Sequence, residues 1–369
     1  MKANFQNIFY TISSFVLLFA VVILAKSILI PLSAALLLAF ILFPFVTRLK
    51  RFIGNTILSV FVSFLLTFAL LAGILFFFST QIISISNDLT QFKDSVLDTL
   101  TQATLFLNEH VHLMDNINRE QLFNDAQGWL SSISGVLVKQ TFNNTTTFLT
   151  GVAATIIFSF LLLIYQKGLT DATVSFVKKD KQPDFKQMLK RIQKVGEKYV
   201  LGMLVMVIII GLINSIGLLI IGIDNPFLFG FFGAALSIVP YIGTTIGALI
   251  PVLYAFIAYD PLWMPISVAI LFWAVQLLTD NYLSPKIVGG SLNINALTAI
   301  LSLIIGAATW GLAGMILFLP FAAMLKVVFD QYDELKPLAA LMSNDYIQSR
   351  SMKAETPKWF LRIRKRGGK

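Results

Sequence analysis

The sequence predicts an all-α integral membrane protein. It has about eight transmembrane helices, re-entrant or broken helices in the C-terminal half, and a helical hairpin on the extracytoplasmic side. Three observations lead there. The first is composition: hydrophobic residues fill 57% of 369 positions and charged residues 13%, with a mean hydropathy of +0.80. A soluble domain carries about 25% charge, and a single core cannot hide this much apolar surface. The second is distribution. Charges cut the chain into eight uncharged windows, 3–25, 27–47, 52–87, 140–166, 199–223, 225–259, 261–279 and 287–325. Each has about the 20 residues that cross a hydrocarbon core. Backbone polar groups must be satisfied within the segment in lipid, so the windows should be helical. Strand-length alternation, the mark of a membrane barrel, is missing from the sequence.

The third observation is where the charges gather. Arg48, Lys50 and Arg51 follow the second window, and nine basic residues against four acidic lie between Lys167 and Lys198. From Lys326 to Lys369 there are ten basic and five acidic residues. Basic loops face the cytoplasm, so these regions and both termini are expected there. The segment 88–139, with seven acidic and three basic residues, is expected outside. The net charge of +9 is then an orientation signal and calls for no nucleic acid. The chain divides into three spans over 1–87, an outer helical segment over 88–139, a transmembrane core over 140–328 with a basic loop at 167–198, and a basic tail over 329–369. Lys2 ahead of an apolar run resembles a signal peptide, but the run is long and lacks a small-residue cleavage site, so a retained first helix is expected.

Two elements outside the lipid are legible. Leu89, Phe92, Val96, Leu100, Ala103, Leu107, Val111 and Met114 recur at steps of three and four, as on one face of a helix. Asn116 and Asn118 break it, and Leu122, Ala126, Trp129 and Ile133 return. The stripe packs on the returning helix or on a neighbouring subunit. In the inner loop, Asp184 is placed to cap a helix with Phe185, Leu189, Ile192, Val195 and Tyr199 on one face and Lys186, Lys190, Arg191 and Lys194 around it. That pattern predicts a basic amphipathic helix at the inner surface.

Enzymatic motifs are missing: there is no phosphate-binding loop, dinucleotide fingerprint, HExxH or GxSxG. Cysteine is absent, which excludes thiolate chemistry. The two histidines, His110 and His112, point apart at helical spacing and read as a solvated face. No enzyme, cofactor or metal is called for. The informative region is 224–326. In 237–251, Pro240, Tyr241, Gly243, Gly247 and Pro251 interrupt an uncharged run too long for one straight span. The chain there tilts, breaks or folds back. A break within the membrane is tolerated only where it is buried in protein or lines a cavity, and Gly243-xxx-Gly247 equally fits close helix packing. Asp280, Asn281, Pro285 and Lys286 then sit together between two apolar windows. Ionisable groups at membrane depth are costly and usually functional, while at the interface they cost little. Finally Trp310, Gly311 and Gly314 interrupt the last window ahead of Pro320.

These blocks, in this order, resemble the AI-2E (autoinducer-2 exporter) family of permeases. The resemblance rests on Pro240-Tyr241-Ile242-Gly243, on Asp280-Asn281 with Pro285 and Gly289, and on Trp310-Gly311 with Gly314 and Pro320. It is joined by Ile30-Pro31-Leu32, Ala39-Phe40 and Phe43-Pro44, and covers roughly 10–340. It implies an inner-membrane transporter of a small solute such as autoinducer-2, or a sodium/proton antiporter, working as a homo-oligomer, pentamers included. The reading that follows is a gradient-driven permease in the lipid bilayer. Asp280 and Lys286 neutralise charge or couple an ion, Asn281 donates and accepts, and Pro240, Tyr241, Gly243, Gly247 and Pro285 shape the breaks. Gly311 and Gly314 allow movement or close packing. A non-transporting scaffold acting through the outer hairpin and basic tail is the alternative of another class.

Overall fold

A computed structural model of the chain describes residues 5–81, 148–239, 242–259, 261–289 and 292–343. Their regular structure is helical throughout. In order come α1 (Phe5–Leu24), α2 (Lys26–Ile53), α3 (Thr56–Gln81), α4 (Phe148–Ser175), α5 (Gln182–Ile221), α6 (Pro226–Leu236), α7 (Ile242–Ala258) and α8 (Trp263–Leu278). Two π-helical turns (Thr279–Leu283 and Pro285–Gly289), α9 (Ala296–Gln331) and α10 (Lys336–Met342) complete it. Six segments are long and apolar enough to cross a membrane: α2, α3, α4, Lys179–Ile221, Trp263–Ile287 and α9. The multi-pass all-α reading therefore holds. The expected outer hairpin, His110 and His112, Pro240, Tyr241 and the tail beyond 343 lie outside the described residues.

Local chemistry sets the helix ends. Gly54, at φ +76°, stops α2 in the left-handed conformation that glycine adopts without a Cβ penalty. Asn55 then starts α3, its Oδ1 accepting from Ile57 N at 2.9 Å and Leu58 N at 3.3 Å. The same device ends α5 at Gly222 (φ +90°), whose N–H donates to the Leu218 carbonyl at 3.1 Å. Asn225 in αL and Pro226 in the first turn then begin α6.

The window 225–259 is not one tilted span. It breaks into α6 of 11 residues and α7 of 17. At 1.5 Å per residue, α6 reaches only about 16 Å, half a hydrocarbon core. The two helices lie side by side: a Cβ placed on Gly233 would meet the Gly247 carbonyl oxygen at 3.1 Å, and one on Gly247 would meet Gly233 Cα at 2.9 Å. Gly243 sits at the return, where a Cβ would run into the Leu236 carbonyl.

The window 287–325 also folds back. Gly311 interrupts α9 at φ 62°, ψ −138°, a conformation essentially closed to residues with a Cβ. Across the bend the backbones of Gly306 and Gly314 meet, and a Cβ on either would strike the other's carbonyl. The sequence singled out Gly311 and Gly314 for movement or packing; Gly314 packs and Gly311 bends.

The inner amphipathic helix is also different from its expectation. It continues without a break into the next span as the 40-residue α5, preceded by a 3-10 turn at Lys179–Lys181. Asp184 lies in its first turn and is not its cap. Forty residues extend about 60 Å, twice a hydrocarbon core, so the turns bearing Lys186, Lys190 and Lys194 lie beyond it. On the apolar face of α5, Ile192 and Val195 pack on protein.

The chain forms two compact units, 1–47 with 161–204 and 282–369, and 48–160 with 205–281. In the first, Ile192, Val195 and Val200 of α5 pack with Leu37 and Phe40 of α2 and with Leu317 and Met324 of α9. Tyr199 packs with Leu292 and Ala323. Trp310 Nε1 donates to the Val22 carbonyl at 2.9 Å, tying the bend of α9 to α1. Asn295 joins α9 to α10: its Oδ1 accepts from Thr298 N at 2.9 Å and its Nδ2 donates to the Leu341 carbonyl at 2.6 Å.

In the second unit the core is Leu218, Ile223, Phe229, Ala255, Val268 and Phe272, drawn from the end of α5, α6, α7 and α8. Gln81 at the end of α3 accepts from Leu228 N in the first turn of α6 at 3.0 Å. Tyr259 donates to Asp224 Oδ2 at 2.9 Å and accepts from Asp224 N at 2.8 Å, closing the ends of α5 and α7 together. Asp224, between α5 and α6, is thus half of this clasp. Tyr259→Phe is expected to lower stability by about 1 kcal/mol, the usual net value of a hydrogen bond, read as the shift of thermal unfolding in detergent.

Candidate functional site: a cavity in the second unit

Within the second unit, α5, α6, α7 and α8 line an open cavity of about 400 Å³. That is the size range of ligand pockets. Ile210 and Asn214 face it from α5, Gly233 and Ser237 from α6 and its end, Thr244, Thr245, Gly247, Ala248 and Val252 from α7, and Phe272, Trp273 and Gln276 from α8. The broken helix explains why it exists. Where α6 ends and α7 begins, the chain supplies Ser237, Thr244 and Thr245 in place of bulky apolar side chains. Gly233 and Gly247 let the two backbones touch, so the hairpin is thin at that level.

Asn214 is the distinctive group. It is 2% exposed, and its Oδ1 has no hydrogen-bond partner among the described residues. An unmade hydrogen bond on a buried acceptor costs about 1–3 kcal/mol, and polar groups inside a membrane helix are functional more often than not. Its neighbours are engaged. Ser215 Oγ donates to the Gly211 carbonyl at 2.6 Å, and Ser237 Oγ to the Ala234 carbonyl at 2.6 Å. Gln276 Nε2 donates to both carboxylate oxygens of Asp280 at 3.0 Å. Among the described residues, no charged side chain lines the cavity. Its polarity comes from hydroxyls and amides, so it suits an uncharged ligand.

Of the residues chosen from the sequence, Gly247 lines this cavity and Asp280 is joined to it through Gln276. Asn281, exposed, donates from Nδ2 to the Leu277 carbonyl at 2.8 Å within its own helix. Gly243 shapes the return between α6 and α7. Pro285 and Lys286 do not line the cavity; they are exposed in the second π turn and belong to the first unit, as do Gly311 and Gly314. Lys286 makes no ion pair among the described residues. Asn214 and Gln276 were missed. Asn214-Ser215 is the one adjacent polar pair in the window 199–223, and an isolated amide at mid-span was a usable signal.

The sequence of this chain is similar to those of known proteins. A family model described as AI-2E family transporter matches residues 12–334. YrrI of Bacillus subtilis is 27% identical over 82% of this chain and 86% of its own length. YueF of the same organism is 27% identical over 84% and 85%. The AI-2 transport protein TqsA of Escherichia coli is 24% identical over 87% of this chain and 90% of its own. With a family model spanning almost the whole membrane region, and helices that account for it, the chain belongs to the AI-2E family and is a multi-pass membrane transporter.

Proposed function

We propose that the cavity of the second unit is the solute-binding site of a gradient-driven permease for a small uncharged molecule. The observation that carries this is the unpartnered amide of Asn214 facing a 400 Å³ cavity beside a broken helix. Transporters bind substrate where discontinuous helices expose polar groups within the membrane. Autoinducer-2, the solute in the name of TqsA, is one candidate. The excess of Lys and Arg at 48–51, at 167–198 and in the tail supports a bacterial inner-membrane location with both termini cytoplasmic. The resemblance adds a homo-oligomer, and nothing in the reading calls for catalysis.

Asp280 is the coupling group in this reading. Its carboxylate grips Gln276, and Gln276 lines the cavity, so a proton or ion arriving at Asp280 changes a donor at the binding site. Asp280→Asn and Gln276→Leu are each expected to lower gradient-driven flux in proteoliposomes at least tenfold, with normal membrane insertion. Full flux in both variants would refute the coupling. The same pair keeps a sodium/proton antiporter in play: proton movement on a sodium pulse without solute would favour it. For a scaffold, an unpaired amide in a cavity has no use.

A further inference from the structure

Gln276 gives the cavity a polar group whose direction is set by a charge. Its Nε2 stands 3.0 Å from each carboxylate oxygen of Asp280, and the two side chains meet because four residues make one helical turn. An ionised carboxylate can only accept, so it holds the amide by its nitrogen. The carbonyl end, Oε1, makes no hydrogen bond among the described residues, and Gln276 lines the cavity. Ser237 Oγ, also in the lining, gives its proton to the Ala234 carbonyl and keeps its lone pairs for accepting. With Asp280 ionised, these two groups offer acceptors, which suit a solute carrying hydroxyl groups.

Protonation of Asp280 reverses the pairing. A neutral carboxyl has one O–H to donate and one carbonyl to accept. Against a primary amide both fit at once, O–H to Oε1 and Nε2–H to the carbonyl. The last torsion of glutamine is broad and soft, so the amide turns readily. Oε1 is then taken by the acid, and the second N–H of Nε2 is what remains for the cavity. Neighbouring elements bring no rival charge among the described residues. α3, α6 and the stretches 148–160 of α4 and 205–221 of α5 have no titratable side chain. α7 has Tyr254, whose ring packs on Phe229 and Tyr259. Asp224 is held by Tyr259. Arg48, Lys50 and Arg51 ahead of α3, and Lys286 further along from Asp280, make no ion pair among the described residues.

We infer that a proton and a hydroxylated, uncharged solute compete for the Gln276 amide, so that transport exchanges solute for proton. This rests on the cavity being the solute site, as proposed above. Asp280 is a positioning residue: it acts through Gln276 and selects which end of the amide meets the solute. Binding of the solute to Oε1 requires the ionised form, so one proton leaves Asp280 as solute binds and one returns as it departs. Affinity is therefore high above the titration of Asp280 and falls below it.

The test reads that pH profile. Full-length protein in nanodiscs is titrated with radiolabelled erythritol, empty nanodiscs giving the background, from about pH 8 to about pH 4, across the ordinary carboxylate range. Saturable binding is expected at the upper end, at least tenfold weaker at the lower end, and recovered on return. The tetramethyl ether of erythritol, which has no O–H, should not compete. Asp280→Asn offers Gln276 Oε1 an N–H at every pH and should bind weakly throughout, as should Gln276→Leu. Equal affinity across the range, tighter binding in acid, a pH dependence kept in Gln276→Leu, competition by the ether, or no saturable binding at the upper end overturns the inference. The cavity as solute site falls separately, if Asn214→Leu and Gln276→Leu both keep full flux.

Discussion

Valine at Gly314 is expected to prevent the protein from accumulating in folded form. The backbones of the two halves of α9 touch at Gly306 and Gly314, and a Cβ on Gly314 would lie against the carbonyl and Cα of Gly306. These are backbone atoms of a helix and cannot swing aside as a side chain end would. Relief requires the halves to separate, and that loses the packing on both sides of the bend. Overpacking a well-filled site costs typically about 1–3 kcal/mol, and the rigid neighbour places this case at or above the top of that range. Gly311→Ala should be milder. Space is open around it, and the penalty is the backbone alone, about 1–3 kcal/mol for such a conformation. Gly151→Ala in α4, with open space and ordinary helical geometry, should be neutral or stabilising. Monodisperse yield and thermal unfolding in detergent give the order. If Gly314→Val folds as well as Gly151→Ala, the halves of α9 are not in contact.

Asn214→Leu is expected to move stability and transport in opposite directions. Leucine is close in size, and it removes an acceptor that is buried without a partner. Relief of that penalty should raise the unfolding midpoint, by the equivalent of about 1 kcal/mol or more. Solute flux should fall at least tenfold, because the ligand loses the Asn214 amide in the cavity lining. Function maintained at a cost in stability is the usual mark of a binding residue. A loss of stability together with full flux would instead make Asn214 a packing residue, and the cavity would need another occupant.

The two interrupted windows show how far composition carries and where it stops. The sequence located both breaks through Pro240, Gly243, Gly247, Gly311 and Gly314, because glycine and proline alter backbone freedom locally. It left open whether the chain tilts, kinks or returns. That depends on what meets across the break, and Gly233 with Gly247, and Gly306 with Gly314, are contacts between residues fourteen and eight positions apart. Gly233 and Gly306 carried no special weight in one dimension. The charged cluster was read in the same local way. Asp280 and Lys286 are neighbours in sequence, so a joint role was natural. Packing joins Asp280 to Gln276 at four residues, one helical turn, and places Lys286 in the other unit.

By itself, then, the sequence determined the solvent, the secondary structure and the class of function. Apolar runs of span length admit only helices in lipid, and short blocks in a fixed order indicate the transporter family. The tertiary structure decided which breaks are hairpins, that α5 is one continuous helix packed on α2 and α9, and which side chains share a cavity. The physical reason is range. Hydropathy and backbone preference act within a turn or two of the chain. A cavity instead takes its walls from four helices, and an amide such as Asn214 is recognised as unpaired only when everything around it is in place.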